Sequence, residues 1–209
     1  MKTKYTLLFS LLLSLGSMPK FSVADSGYLS NGFYSFNWDI NVPLNNKDFI
    51  SNTSAAGGNV QGRFFINPNM SVGGEIAWSS LYEYASRRTY YLENAAVTTD
   101  LYKYIYLLPM TATFHYYFNP DGNIMPYAGL GLGAMYSEQD LYFNIYNLYA
   151  TNWGFLVKPE AGAIFKFGDR SRTGAMLGVR YNYATNRESD LRIERIKTLS
   201  INVGIVFFN

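Results

Sequence analysis

Period-two alternation of apolar and polar residues, sustained over stretches longer than an ordinary soluble strand, is the feature that most constrains this chain. Tyr34, Phe36, Trp38, Ile40 and Val42 fall on one face, and Ser35, Asn37, Asp39 and Asn41 on the other. The same parity sets Val72, Ile76, Trp78 and Tyr82 against Ser71, Glu75 and Ser79, and Tyr104 through Phe118, taken in twos, against Lys103, Thr111, Thr113 and His115. It returns at the end, where Leu199, Ile201, Val203, Ile205 and Phe207 alternate with Ser200, Asn202 and Gly204. Side chains in a strand point alternately to opposite sides, so each stretch predicts a strand with one apolar and one polar face.

Turn signals are lopsided. Asn67–Asn69, Asn119–Asn123 and Gly168–Arg172 carry the Pro, Asn, Asp and Gly chemistry of tight hairpins. The connections near Pro43–Ala56, Glu83–Tyr102, Glu138–Thr151 and Thr185–Ile193 are longer and polar, and are expected to be irregular loops. Three short turns alternating with four long connections close a meander of eight strands with both ends on the short-turn side. The expected fold is all-β: an eight-stranded antiparallel up-and-down transmembrane β-barrel with four long extracellular loops.

A soluble up-and-down barrel also has eight alternating strands, but its apolar set points inward and its outer set is charged. Here aromatic residues make up 18% of the chain against 15% charged, and the set opposite the aromatics holds Gly129, Gly131, Gly133, Gly162, Gly174 and Gly178. Glycines suit a narrow lumen in which large neighbours need room. Tyr82, Tyr102, Tyr104, Tyr136 and Trp153 on the loop side, with Tyr116, Phe118, Phe165 and Phe167 on the turn side, are expected to form two headgroup-level girdles.

The first residues read as a secretory signal over 1–24. Lys2 and Lys4 precede an apolar run from Tyr5 to Leu15, and Ser22-Val23-Ala24 is a small-residue cleavage site. That run is too short for a membrane-spanning helix, which needs about twenty apolar residues. The mature barrel domain is expected over 25–209, with no further domain after the last strand. The chain has no cysteine, so neither a lipid anchor nor a disulfide framework is expected. A formal net charge of +2 gives no concentrated basic surface for nucleic acid.

The segments FHYYFNPDGNIMPYAGLGLGAMYS and KPEAGAIFKFGDRSRTGAMLGVRYNY resemble the outer-membrane β-barrel family that includes the small OmpA/OmpX-type barrels. The resemblance implies the cell outer membrane, with its lipids and lipopolysaccharide as surroundings and its assembly machinery as a partner. Asn202, Gly204 and Phe207 are similar to the C-terminal signal that machinery reads, although the chain ends on Asn209 rather than on an aromatic residue. The family hosts many roles, so resemblance alone fixes none.

Parity lists the inward charged and polar set as Asp39, Gln61, Arg63, Glu75, His115, Lys158, Glu160, Arg180 and Asn182. Folding the chain back about Arg170 sets Glu160 opposite Arg180 and Lys158 opposite Asn182. Asp39, Arg63, Glu75, His115, Lys158, Glu160 and Arg180 are therefore expected to form a lumen charge network, more plug than binding site. His115 invites comparison with lipid A-modifying barrels, but the deacylases carry a serine two residues after the histidine, where this chain has Tyr117. No metal cluster, phosphate-cradling loop or paired nucleophile and base is found, so no cofactor and no enzyme is expected. The expected function is a non-enzymatic integral barrel, structural or surface-exposed as an antigen or adhesin, with Arg87, Arg88, Tyr90 and Tyr91 as candidate contacts to a host surface or lipopolysaccharide phosphate. The alternative is a narrow channel for ions or small solutes.

Overall fold

The computed structural model describes residues 31–92, 95–143, 146–168, 171–188 and 193–209. The signal segment over 1–24 lies outside the described residues. Eight antiparallel strands form one closed ring: β1 (Gly32–Pro43), β2 (Gly57–Asn67), β3 (Met70–Leu92), β4 (Ala95–Tyr117), β5 (Ile124–Phe143), β6 (Tyr146–Lys166), β7 (Thr173–Ala184) and β8 (Ile196–Phe208). Each strand pairs with its neighbours in sequence, and β1 pairs with β8 from Phe33↔Phe208 to Pro43↔Thr198. Within the span where all eight strands run side by side, closure pairs every strand on both sides, a requirement for a sheet surrounded by hydrocarbon.

Burial follows the alternation. Along β1 the even residues Tyr34, Phe36 and Trp38 are exposed while Ser35, Asn37, Asp39 and Asn41 are buried. Outside the barrel, Phe114, Leu130, Leu132, Val179 and Ile205 are likewise exposed, an arrangement that only lipid makes favourable. Trp78, Tyr82, Tyr102 and Trp153 face outward at the loop end, and Tyr116, Phe118, Phe165 and Phe167 at the turn end.

The connections differ from expectation in two places. The described residues of 83–102 and 138–151 are not irregular loops: β3 and β4 continue as a ladder to Leu92↔Ala95, and β5 and β6 to Phe143↔Tyr146. The four strands β3–β6 are therefore 20–23 residues long, whereas β1, β2, β7 and β8 have 11–13. Above the bilayer both faces of a strand meet water, so the alternation fades although the backbone ladder persists. Cross-strand pairs hold the extension: Tyr82 on Tyr104 with ring centres 4.9 Å apart, Tyr84 on Tyr102 at 5.0 Å, and the Thr89 and Thr98 hydroxyls at 2.8 Å. A register shift between Ala85 and Arg88 bends this hairpin above the girdle.

The other two loop-side connections fold inward. Phe49 and Ile50, between β1 and β2, are buried in the barrel mouth, as is Ile193 between β7 and β8. Lys103 Nζ donates to the Asp48 carbonyl at 2.8 Å, and Ser51 donates to the Glu83 carboxylate through its N–H and, at 2.9 Å, its hydroxyl. Asn186 Nδ2 ties the last connection down by donating to the Met135 carbonyl at 3.0 Å and to Ser137 Oγ at 2.8 Å.

Candidate functional site

The lumen is a stack of three layers. At the turn end Phe33, Phe65, Tyr117, Met125, Ile164 and Met176 pack into an apolar plug. At the loop end Phe49, Ile50, Leu81, Leu107, Met135 and Leu156 belong to a second. Charged and amide side chains fill the space between. Inward positions at both strand ends are apolar, and the inward set listed from parity does not include them. Runs such as Phe64-Phe65-Ile66, Tyr116-Tyr117-Phe118 and Ile105-Tyr106-Leu107-Leu108 are the signal for this. Consecutive apolar residues in a strand must put one of them inward.

The structure brings together all seven residues of the expected lumen set. Glu160 stands across from Arg180 in the β6–β7 ladder, with Arg180 Nε 3.2 Å from Glu160 Oε2. Arg63 reaches Glu160 from the other side of the lumen at 3.1 Å, and His115 Nε2 meets the same Glu160 Oε1. Lys158 Nζ lies 2.6 Å from Glu75 and 3.8 Å from Glu160. Arg180 also reaches Glu75 at 3.3 Å and Asp39 at 3.5 Å. Three carboxylates thus meet three cations, so the layer is balanced when His115 is neutral.

Neutral donors complete it. Gln61 Oε1 accepts from Arg63 Nε and Nη2 at 2.9 and 2.7 Å, and Asn59 Nδ2 donates to both oxygens of Asp39 at 2.7 and 2.9 Å. Asn182 Nδ2 donates to Thr198 and Ser200, both at 3.0 Å. The His115 ring stacks on Tyr127 with centres 4.5 Å apart. Glycines make the room. A Cβ on Gly129 would overlap the His115 ring, and one on Gly131 would lie 2.8 Å from Lys158 Cε. Charges so buried cost several kcal/mol each to desolvate, a cost their mutual attraction and hydrogen bonds offset.

Little space remains among the described lumen residues. A void of about 20 Å³ beside Asp39, Glu75 and Arg180 holds roughly one water. Two larger cavities lie outside the lumen: one of about 540 Å³ at the extracellular mouth, lined by Asn45, Asn46, Asp48, Phe49, Glu194, Arg195 and Lys197, and one of about 380 Å³ on the outer wall.

In the last strand Asn202 is buried inward, Gly204 lies against Asn37 and the Phe36 carbonyl, and Phe207 faces outward with its ring 6.2 Å from that of Phe36. Arg87 and Arg88 are exposed on the tall hairpin, and the side chains of Tyr90 and Tyr91 lie outside the described residues.

A closed ring of eight strands, apolar outside and with a charged layer within, defines an integral barrel of the cell outer membrane. The chain belongs to the outer membrane protein β-barrel domain family, whose model matches residues 8–207. Its fold is similar to that of neisserial surface protein A, NspA, with a TM-score of 0.58 and 12% identity over 86% of this chain and 98% of that one. OprG of Pseudomonas aeruginosa, at 13% identity over 87% of this chain and 97% of its own, has a TM-score of 0.48. Ail of Yersinia pestis, at 12% identity over 86% and 98%, has one of 0.43. No curated protein matches by sequence.

Proposed function

We propose that this barrel is a non-enzymatic surface protein that acts through its extracellular connections, as an adhesin-like or antigenic contact or as a stabiliser of the membrane, and not through its lumen. The observation that carries this reading is the double seal: an apolar plug at each end of a charge-balanced layer, with room between them for about one water. A conducting path needs continuous polar space, and Leu107, Met135 and Leu156 above and Phe65, Tyr117 and Met125 below interrupt it. His115 is fully buried in the same layer, out of reach of a lipid substrate approaching from outside.

The tall β3–β6 wall carries Arg87 and Arg88 above the bilayer, where cations suit anionic partners such as lipopolysaccharide phosphate or a sulfated host surface. Asn202, Gly204 and Phe207 serve on this reading as the handle taken by the assembly machinery, and residues 1–24 as the export signal. The test is conductance of the refolded barrel in a planar bilayer, with heat-modifiable gel migration as the check on folding. A folded barrel without steady openings supports the reading, and steady charge-selective openings overturn it in favour of the channel.

A further inference from the structure

The cavity on the outer wall lies beside a stretch where the β3–β4 ladder lacks two rungs. The β3–β4 ladder steps from Ile76↔Met110 to Ser79↔Leu107, and the missing rungs surround Pro109, which has no N–H to donate. Beside this gap opens a recess of about 380 Å³, walled by Trp78, Tyr106, Tyr136 and Leu108, with Glu138 and Asp140 as its polar groups. Leu107, otherwise an inward residue, also borders it.

Asp140 is the unusual member. It sits on the outward parity of β5, flanked in register by Tyr104 and Tyr149, yet only 6% of it is exposed. Its Oδ1 has no hydrogen-bond partner among the described residues. Neither Asp140 nor Glu138 enters an ion pair among the described residues, and Glu138 accepts only from Tyr136 Oη, at 3.3 Å, in the bonds described. A buried carboxylate without a counter-charge leaves a desolvation cost that a bound cation would offset.

Three aromatic side chains beside two carboxylates suit a particular kind of cation. A metal ion prefers a shell of oxygens, whereas an alkylammonium group is held by ring faces and a carboxylate together. We propose that this recess binds an organic cation, a primary or quaternary ammonium group, with Asp140 and Glu138 as counter-charge and Trp78, Tyr106 and Tyr136 as the cage. Trp78 and Trp153 mark the level of the outer headgroups, so the ammonium can belong either to a lipid headgroup or to a free amine.

The test uses the full barrel refolded in a maltoside micelle free of amines. Tryptophan fluorescence is followed during titration with tetramethylammonium and ethanolamine, with sodium and calcium chlorides at matched ionic strength alongside. In a second arm, barrels from mixed phosphatidylethanolamine and phosphatidylglycerol nanodiscs are weighed by native mass spectrometry for retained lipid. The expected result is saturable amine binding or selective ethanolamine-lipid retention, weakened about ten-fold or more in Asp140→Asn and also in Tyr106→Leu. The first arm alone identifies a free amine, and the second alone a headgroup. Heat-modifiable migration shows that each variant is folded, and Asp140→Asn keeps the side-chain shape should Tyr106→Leu misfold. Amine binding unaltered in a folded Asp140→Asn, a response that sodium reproduces, saturation by calcium without amines, or silence in both arms would each overturn the proposal.

Discussion

Glu160 and Arg180 face each other across the β6–β7 ladder with Nε and Oε2 3.2 Å apart, and each also reaches groups on strands across the lumen. Removing either leaves the other's charge buried, so Glu160→Gln and Arg180→Met should each cost about 3–5 kcal/mol. The double variant is expected to be less destabilised than the two singles added together, as read from urea midpoints of the refolded barrel. Strict additivity would mean that the two residues do not act as a pair.

Gly129 leaves the space that the His115 ring occupies. Gly129→Ala should destabilise the barrel by about 1–3 kcal/mol through overpacking. Combining it with His115→Ala should recover part of that penalty, because the smaller side chain vacates its share of the overlap while the Phe114 carbonyl, 2.8 Å from the added Cβ, stays. Equal penalties with and without the histidine would place the strain elsewhere.

Glu83 stands at the loop end of the barrel, beyond the bilayer, where it holds Ser51 of the first connection. Burial raises its carboxyl pKa, but the Ser51 N–H and hydroxyl, with Lys103 nearby, outweigh that and hold it below the ordinary 4.5. A lowered folded-state pKa means the tie is fully present above that ordinary value and is lost as pH falls through the folded one. Protease protection of residues 43–56 should therefore fall on acidification below about pH 4.5. Glu83→Gln should flatten this pH dependence, and an unchanged profile would remove Glu83 from the account.

Phe207 and Ile205 both face outward on β8, at 43% and 51% exposure, so each loses comparable lipid contact when cut to alanine. If Phe207 belongs to an assembly signal, Phe207→Ala should reduce the heat-modifiable barrel recovered from cells several-fold more than Ile205→Ala, while both refold alike in detergent. Equal losses in cells would leave Phe207 a girdle residue and nothing more.

Much of this architecture was legible because each membrane-spanning strand separates two different environments, and alternation records the difference. Where the environments converge the record fails. Above the bilayer both faces of Ser86–Thr89 are exposed, so a continuous ladder looks like a polar loop. At the strand ends both faces are apolar, so Phe65 and Tyr117 are lost among their lipid-facing neighbours. Parity shows which charges point inward, but not that Arg63 on β2 reaches Glu160 on β6 or that Lys158 chooses Glu75. Those choices depend on distances across the ring, which exist only once it has closed. Asp140 was illegible for a related reason: parity turns it outward, and its burial comes from side chains of neighbouring strands.

The two plugs and the layer between them draw on both ends of the chain and are complete only in the closed ring. The lower plug takes Phe33 from the first strand and Val206 from the last, and the upper takes Phe49 and Ile50 from the first connection and Ile196 from β8. Arg180 on β7 finds Asp39 only when β1 has arrived beside β8. A sheet of seven strands would satisfy most of its backbone, yet would hold three cations and three carboxylates in a half-built room. Completion therefore rewards the final seam disproportionately, and a partly inserted chain has no comfortable resting place between the open sheet and the finished ring.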